Sequence, residues 1–264
     1  MGTPHRAPRF GRQSEAGAGD VRPLRPQAPL GPGGGYLDRV FRASEEENRR
    51  VILSRLPAQH GGSLLDIGTH DGSFTERIAR RLDADAAHGI ELIEHHAVRA
   101  RERGIEVVTA DIDAGLPFED SSFDTVHANQ VIEHVRRTDV FLSEVHRLLA
   151  PRGIACISTN NLSSWHNVLS LALGYQPMPM HVSDQVMVGN PLNPEHGGLH
   201  EDIGRTHLRL FTGRALRELC EHHGLRAVSL ESSGYYPLPP RLARVAARLD
   251  SRHGAFLVGI FERA

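Results

Sequence analysis

Leu64-Leu65-Asp66-Ile67-Gly68-Thr69-His70-Asp71-Gly72 is the stretch that decides the fold of this 264-residue chain. An apolar run ends in an acidic residue, a glycine-containing turn follows, and a segment with one apolar stripe begins directly after it. This order predicts a β-strand, a tight loop and an α-helix, the unit that holds nucleotide-like ligands in parallel sheets. A dinucleotide fold would carry G-x-G-x-x-G after its first strand, and the chain has no such motif.

Strand-like and helix-like segments alternate outward from this stretch. Phe74, Ile78 and Leu82 lie at i, i+4 and i+8, which predicts one apolar helix face. The pattern predicts strands at 64–66, 87–93, 105–110, 123–128, 154–159, 227–231 and 255–262, and helices at 94–103, 139–149, 164–173 and 213–223. Alternation of this kind predicts an α/β fold, a parallel sheet with helices on both faces.

Three regions of the chain differ in composition. Residues 1–35 hold six prolines and eight glycines, and we expect a disordered basic tail. Residues 36–264 are expected to form one domain, whose first helix begins at a capping box of Ser44 and Glu47. Residues 161–207 are rich in Pro, Gly, His, Met and Asn and interrupt the alternation, so we interpret them as a substrate lid insert.

Composition excludes several classes of function. All 30 basic residues are arginines, so Schiff-base chemistry and a P-loop lysine are ruled out. Acidic residues outnumber arginines outside the tail, which disfavours nucleic-acid binding. No apolar run approaches the roughly 18 residues of a membrane helix, so we expect a cytoplasmic protein with no membrane partner. Cys156 and Cys220 are expected to be buried free thiols.

Polar residues follow the first four predicted strands, and the carboxyl ends of parallel strands share one edge of a sheet. Glu91 can accept hydrogen bonds from two ribose hydroxyls, and Asp111 can accept one from an exocyclic amine such as that of adenine. Gly68 lets a ligand approach the backbone. Asp66 can hold loop amides or a ligand ammonium, and Asn129 ends the fourth strand. No member of this set is cationic, so we expect a positively charged ligand without phosphates.

With these motifs the chain resembles a class I S-adenosylmethionine-dependent methyltransferase of the small-molecule branch. The stretch 66–72 resembles the family's D-x-G-x-G-x-G, with His70 where the family usually has its middle glycine. Glu91 matches the ribose-binding acid, and Ala110-Asp111-Ile112 resembles the adenine-binding motif. The segments 116–124, 131–135 and 148–153 resemble later motifs of the family in the same order, so the similarity spans about 63–160.

The resemblance implies a doubly wound, Rossmann-like sheet of seven strands, mostly parallel with an antiparallel last strand, plus the lid insert. It implies S-adenosyl-L-methionine as cofactor and methyl transfer to an oxygen or nitrogen nucleophile of a small-molecule metabolite by in-line displacement. The cofactor-binding residues that it implies are Asp66, Gly68, Thr69, His70, Gly72, Glu91, Leu92, Asp111, Ile112 and Asn129.

His207 and His134 are the candidates for a catalytic base. His207 stands where the insert rejoins the domain, and His134 follows the fourth strand. We expect no metal site, because Gly197-Gly198 argues against a helix that would bring His196 and His200 together. Two alternatives stay open, an NAD-dependent oxidoreductase that binds ribose through Glu91 and a non-catalytic methyltransferase-like binding protein. The oligomeric state is left open as well.

Overall fold

A computed structural model describes residues 35–183, 185–193, 195–198 and 206–264. The tail predicted at 1–35 lies outside the described residues except for Gly35, and so does His200. Seven strands form one sheet. They are β1 (Ser63–Ile67), β2 (Ala86–Ile90), β3 (Glu106–Val108), β4 (Phe123–Asn129), β5 (Leu149–Asn160), β6 (Leu225–Ser233) and β7 (Phe256–Arg263).

Helices occupy the connections between most of these strands. They are α1 (Tyr36–Arg55), α2 (Ser73–Leu82), α3 (Glu94–Glu102), α4 (Thr138–Leu148), α5 (Trp165–Ala172), α6 (Gly213–His222) and α7 (Pro240–Leu249), with a short 3-10 helix at Ile112–Ala114. Among the described residues, no helix is both long and apolar enough to cross a membrane.

The strand order is β3-β2-β1-β4-β5-β7-β6. The first five strands pair in parallel, whereas β7 is antiparallel to both β5 and β6. The predicted fold class is therefore confirmed, including the antiparallel last strand. Because β1 pairs with β2 on one side and β4 on the other, the order reverses at β1, and ligands of open α/β sheets bind at such a point.

The central position of β1 explains its apolar sequence. Successive side chains of a strand point to opposite faces, and helices cover both faces of this sheet. Leu64 packs on one face with Ile52 of α1 and Ile78 of α2. Leu65 and Ile67 pack on the other face in the larger core that includes α4 and α6. Since both faces are covered, the strand is apolar without interruption until Asp66.

Two helices differ from the predictions. The first helix begins at Tyr36, so the capping box was wrong. Ser44 lies inside the helix, and its hydroxyl donates to the carbonyl of Val40 at 3.0 Å, because residues upstream of it continue the helix to pack on the domain. The helix α7 was not predicted, although proline in its first turn and its leucine and valine spacing are helix signals.

The two cysteines are confirmed as buried free thiols. Cys156 lies in the middle of β5 and Cys220 in the last turn of α6. Burial raises the pKa of the Cys220 thiol to about 12 and raises the pKa of the Cys156 thiol further. Neither thiol has the thiolate character that cysteine chemistry requires at neutral pH.

Candidate functional site

The backbone amides of Gly68, Thr69, His70 and Gly72, in the loop after β1, are bonded within the protein. The N–H groups of Gly68 and Thr69 both donate to the carbonyl of Ile90, at 2.8 and 3.1 Å. The N–H of His70 donates to Oε2 of Glu91 at 2.8 Å. Phosphate-binding loops hold their anion with amides that are free for it. This loop is therefore not a phosphate cradle, which agrees with the uncharged or acidic character of the predicted site.

Positive φ angles shape the same loop. Gly68, His70 and Gly72 have φ of 80°, 52° and 76°. This left-handed conformation costs about 1–2 kcal/mol for a residue other than glycine. The imidazole of His70 packs on His96 in α3, with ring centroids 3.9 Å apart, and 65% of the side chain is exposed. His70 thus adopts the backbone conformation of the glycine that the family usually has at this position.

Close packing also requires glycine at the two ends of the loop. A Cβ on Gly68 would lie 2.6 Å from Cγ2 of Val131, in the segment after β4. A Cβ on Gly72 would lie 2.9 Å from Cα of Ala100 in α3. The small size of Gly68, which we attributed to the approach of a ligand, is thus already required by the contact with Val131.

The carboxylate of Asp66 is buried beneath α2. Its Oδ2 accepts a hydrogen bond from the hydroxyl of Thr75, and its Oδ1 lies 2.6 Å from Nδ1 of His127 in β4. In place of the loop amides or the ligand ammonium that we expected, Asp66 holds α2 and β4 against β1. The hydroxyl of Thr69 likewise turns inward and donates to the carbonyl of Asp66 at 2.7 Å.

Glu91 follows β2 at the same edge of the sheet. Its Oε2 accepts from the His70 amide, and its Oε1 accepts from the N–H of Ile93 at 2.9 Å. A carboxylate oxygen has two lone pairs, so each oxygen keeps one for a ligand hydroxyl. Leu92, the next residue, is a large apolar side chain with 56% of its surface exposed. The carboxylate of Glu91, which can accept two hydrogen bonds from a ligand, therefore lies next to the exposed apolar side chain of Leu92.

Asp111 and Asn129 end the neighbouring strands. Asp111 is exposed, and its Oδ1 accepts from the N–H of Asp113 at 3.0 Å, which caps the 3-10 helix that begins at Ile112. Oδ1 of Asn129 accepts from Nδ2 of Asn48 at 3.0 Å. Asn48 is buried in α1 and also donates to the Ser158 hydroxyl at 3.1 Å, so α1 fixes the ends of β4 and β5.

His134 and His207, the two candidates for a catalytic base, lie next to each other. Their ring centroids are 4.7 Å apart, and the ring of His181 stacks on His207 at 4.9 Å. Nδ1 of His207 lies 2.6 Å from the carbonyl oxygen of Pro179, so part of the insert is held over this histidine. Burial, with a smaller contribution from the neighbouring His207, lowers the pKa of His134 to about 4. His134 is therefore a weak base at neutral pH.

Glu133, beside this pair, is fully buried in the segment that follows β4. Its carboxylate accepts from the Thr159 hydroxyl at 2.8 Å and from Nδ2 of Asn160 at 3.1 Å. Burial raises the pKa of Glu133 to about 7, against hydrogen bonds that lower it. The N–H of Leu208 donates to the Glu133 carbonyl at 2.8 Å, which fixes the returning insert beside β4.

Several residues of this region were not assigned a role from the sequence. Glu133 stood within the motif at 131–135, where two apolar residues precede it and Val135 follows two positions later, a setting that signals a buried acid. His127 and Asn48 each interrupt an apolar strand or helix face, and a polar residue at such a position signals a buried network. His181 has no comparable signal, because irregular chain brings it to His207.

Residues 39–230 match the model of a family described as a methyltransferase domain. The chain is similar to phthiotriol/phenolphthiotriol dimycocerosates methyltransferase of Mycobacterium tuberculosis, 29% identical over 69% of this chain and 71% of that protein. It is also similar to trans-aconitate 2-methyltransferase of Paracidovorax citrulli, 29% identical over 45% of this chain and 47% of that protein. The chain spans about half the length of the first curated relatives that it matches.

A solved structure gives the same fold. An S-adenosylmethionine-dependent methyltransferase from Mesorhizobium loti superposes with a TM-score of 0.54 at 21% identity, covering 81% of this chain and 96% of that one. At this identity the likeness is evidence of fold alone.

Proposed function

This chain belongs to the class I family of S-adenosylmethionine-dependent methyltransferases, and on that premise we propose that it methylates an oxygen or nitrogen nucleophile of a small molecule. The observation that carries the proposal is the carboxylate of Glu91, which is bonded to the His70 amide and keeps a lone pair on each oxygen. The family assignment leaves no support for the NAD-dependent alternative, since the sheet and its loop lack the dinucleotide motif.

The residues present fit the cofactor. The loop at 68–72 offers no free phosphate cradle, and the acids Glu91 and Asp111 suit a ligand with a ribose diol, an amine and a positive charge. We propose that Glu91 holds the ribose, that Leu92 and Ile112 pack on the adenine, and that Asp111 accepts from its amine. The loop residues Gly68, His70 and Gly72, together with Asn129, would hold the remaining part, whereas Asp66 and Thr69 would support the loop from beneath. When bound, S-adenosylmethionine supplies an activated methyl group on sulfur.

The acceptor side is proposed to lie at His134 and His207, under the insert at 161–207. The contact between His207 and Pro179 supports this proposal, because it brings the insert to the end of the sheet where the cofactor residues lie. The two relatives named above carry small-molecule acceptors in their names, which favours a metabolite over a nucleic acid. The chain's task is to align the acceptor and exclude water, and alignment can supply up to about 7–11 kcal/mol.

Calorimetric titration tests the cofactor. We expect binding of S-adenosylmethionine and of S-adenosylhomocysteine, and no binding of NAD. Tight NAD binding without a response to either sulfur compound would contradict the proposal. Exposure of the Glu102 side chain at the end of α3 makes Glu102→Gln a control that should bind like the unchanged chain.

A methyl-transfer screen tests the reaction. The full chain is incubated with S-adenosylmethionine carrying a labelled methyl group and with panels of hydroxyl, carboxyl and amine metabolites, and mass spectrometry locates the label. His207→Ala should abolish the transfer while cofactor binding is retained. Turnover that is unchanged by this substitution would remove His207 from the acceptor side.

A further inference from the structure

We propose that Glu133, His134 and His207 bind a divalent transition-metal cation of the zinc class beside the cofactor crevice. One ligand atom from each side chain lies within 4.8 Å of those of the other two. Three such atoms share a centre no more than about 2.8 Å from each, and zinc–ligand distances are about 2.0–2.2 Å. Side-chain shifts of less than about 1 Å would bring them into contact with one ion.

The orientation of both imidazoles supports a metal site. Nδ1 of His134 lies 3.2 Å from the carbonyl oxygen of Thr206, and Nδ1 of His207 lies 2.6 Å from that of Pro179. A carbonyl oxygen only accepts, so in each neutral ring Nδ1 carries the proton and Nε2 is the unprotonated nitrogen. Metal-binding histidines are generally oriented by such a bond from the other ring nitrogen to a carbonyl or carboxylate.

The third donor, Glu133, is a buried acid whose ionised form a neighbouring cation would stabilise. The hydrogen bonds that its carboxylate accepts from the Thr159 hydroxyl and from Nδ2 of Asn160 come from neutral groups. Burying a carboxylate is costly unless a cation or further hydrogen bonds compensate it.

The set of donors selects the class of ion. Two imidazole nitrogens and one carboxylate oxygen form the ligand set of catalytic zinc sites, which leave a fourth position open. Calcium and magnesium prefer sites made of oxygen atoms. We therefore assign a transition-metal ion, in contrast to the expectation from the sequence, where His196 and His200 were the only pair weighed and no metal site was expected.

The chemical consequence rests on the proposed function. A cation with an open position would bind an acceptor oxygen and lower the pKa of its hydroxyl. The hydroxyl proton is released to solvent, the acceptor oxygen forms the new bond to the methyl carbon, and the carbon–sulfur electron pair stays on sulfur. Both Nε2 lone pairs then serve the ion, so neither histidine is the base. The cation would make hydroxyl compounds the preferred acceptors.

Cobalt titration tests the binding without any need for an acceptor. The untagged full chain is stripped with a chelator, and Co²⁺ binding is followed by visible d–d absorption. We expect one Co²⁺ per chain, displaced by Zn²⁺. His134→Asn and His207→Asn should each weaken binding at least about tenfold. His60→Asn is the matched control and should bind like the unchanged chain, because His60 lies in an exposed loop.

A second cluster of imidazoles is an alternative binding site for Co²⁺. His70, His95 and His96 lie at the other side of the loop, with ring centroids 3.9 and 4.1 Å apart. Loss of Co²⁺ binding in His95→Asn but not in His134→Asn would overturn the proposal, as would the absence of stoichiometric binding. Glu133→Gln would alter a buried hydrogen-bond network and could disturb folding. The test therefore depends on His134→Asn and His207→Asn, whose positions are partly exposed, and circular dichroism checks that both variants are folded. Failure to find an acceptor would affect only the proposed function.

Discussion

Replacing Glu91 by glutamine should separate cofactor binding from folding. In the free protein, the two oxygens of Glu91 accept from the amides of His70 and Ile93. In the complex they are proposed to accept from two ribose hydroxyls as well. Hydrogen bonds to a charged group contribute about 1.5–3 kcal/mol each. The lower figure for both bonds gives about 3 kcal/mol, which corresponds to a Kd roughly 100-fold higher.

The assay is calorimetric titration with S-adenosylhomocysteine, which cannot turn over. Glutamine has one acceptor oxygen, so either the His70 or the Ile93 amide loses its partner, and part of the loss will come from a less ordered loop. Glu102→Gln removes the same charge at an exposed position of α3 and should change the Kd by less than about twofold. If Glu91→Gln raises the Kd by less than about fivefold while the thermal melt is unchanged, the ribose role is refuted.

Three further predictions concern stability and reactivity. Gly68→Ala should destabilise the protein by about 2–3 kcal/mol in urea unfolding, because φ is 80° and the new Cβ would lie 2.6 Å from Val131; an unchanged midpoint would contradict the contact. Cys156 and Cys220 should resist a thiol reagent in the native protein at pH 8 and react fully after unfolding, because burial raises both pKa values; labelling without unfolding would disprove their burial. Burial raises the pKa of Asp71, but hydrogen bonds from its neighbours outweigh this and lower it to about 2 from 3.8. The unchanged protein should therefore be more stable than Asp71→Asn by about 1 kcal/mol at pH 6, and this difference should disappear as the pH falls from about 4 to 2. If urea titrations give the same difference in unfolding free energy across this range, the ionised Asp71 carboxylate does not stabilise the fold.

The periodicity of the chain predicted most of the fold. The stripe of Phe74, Ile78 and Leu82 became α2, and the run at 64–67 became the central strand. These elements are coded locally, because the spacing of apolar residues repeats the geometry of a helix or a strand. Element ends were less exact. The first helix extends eight residues beyond the predicted Ser44 start, because tertiary packing of its early residues outweighed a local capping signal.

The shared position of the proposed cofactor residues at one edge of the sheet was predictable for a similar reason. Glu91, Asp111 and Asn129 end parallel strands, and such ends meet at one edge. The direction of each side chain was not predictable. The motif alone does not tell whether the carboxylate of Asp66 faces the ligand or the protein interior. The alternation of side chains along β1 places it beneath α2, where Thr75 and His127 hold it. The face of the strand to which a side chain points thus decides whether it contacts the ligand or the protein.

The sequence alone determined the fold class, the family resemblance and the cofactor that it implies, because these depend on short motifs in a fixed order. Only the tertiary structure decided that Glu133, His134, His181 and His207 form one cluster. More than 70 residues separate His134 from His207, and the irregular insert that closes this distance has no periodicity from which its path can be derived. Contacts between distant segments depend on the packing of the whole domain, and no local pattern encodes them.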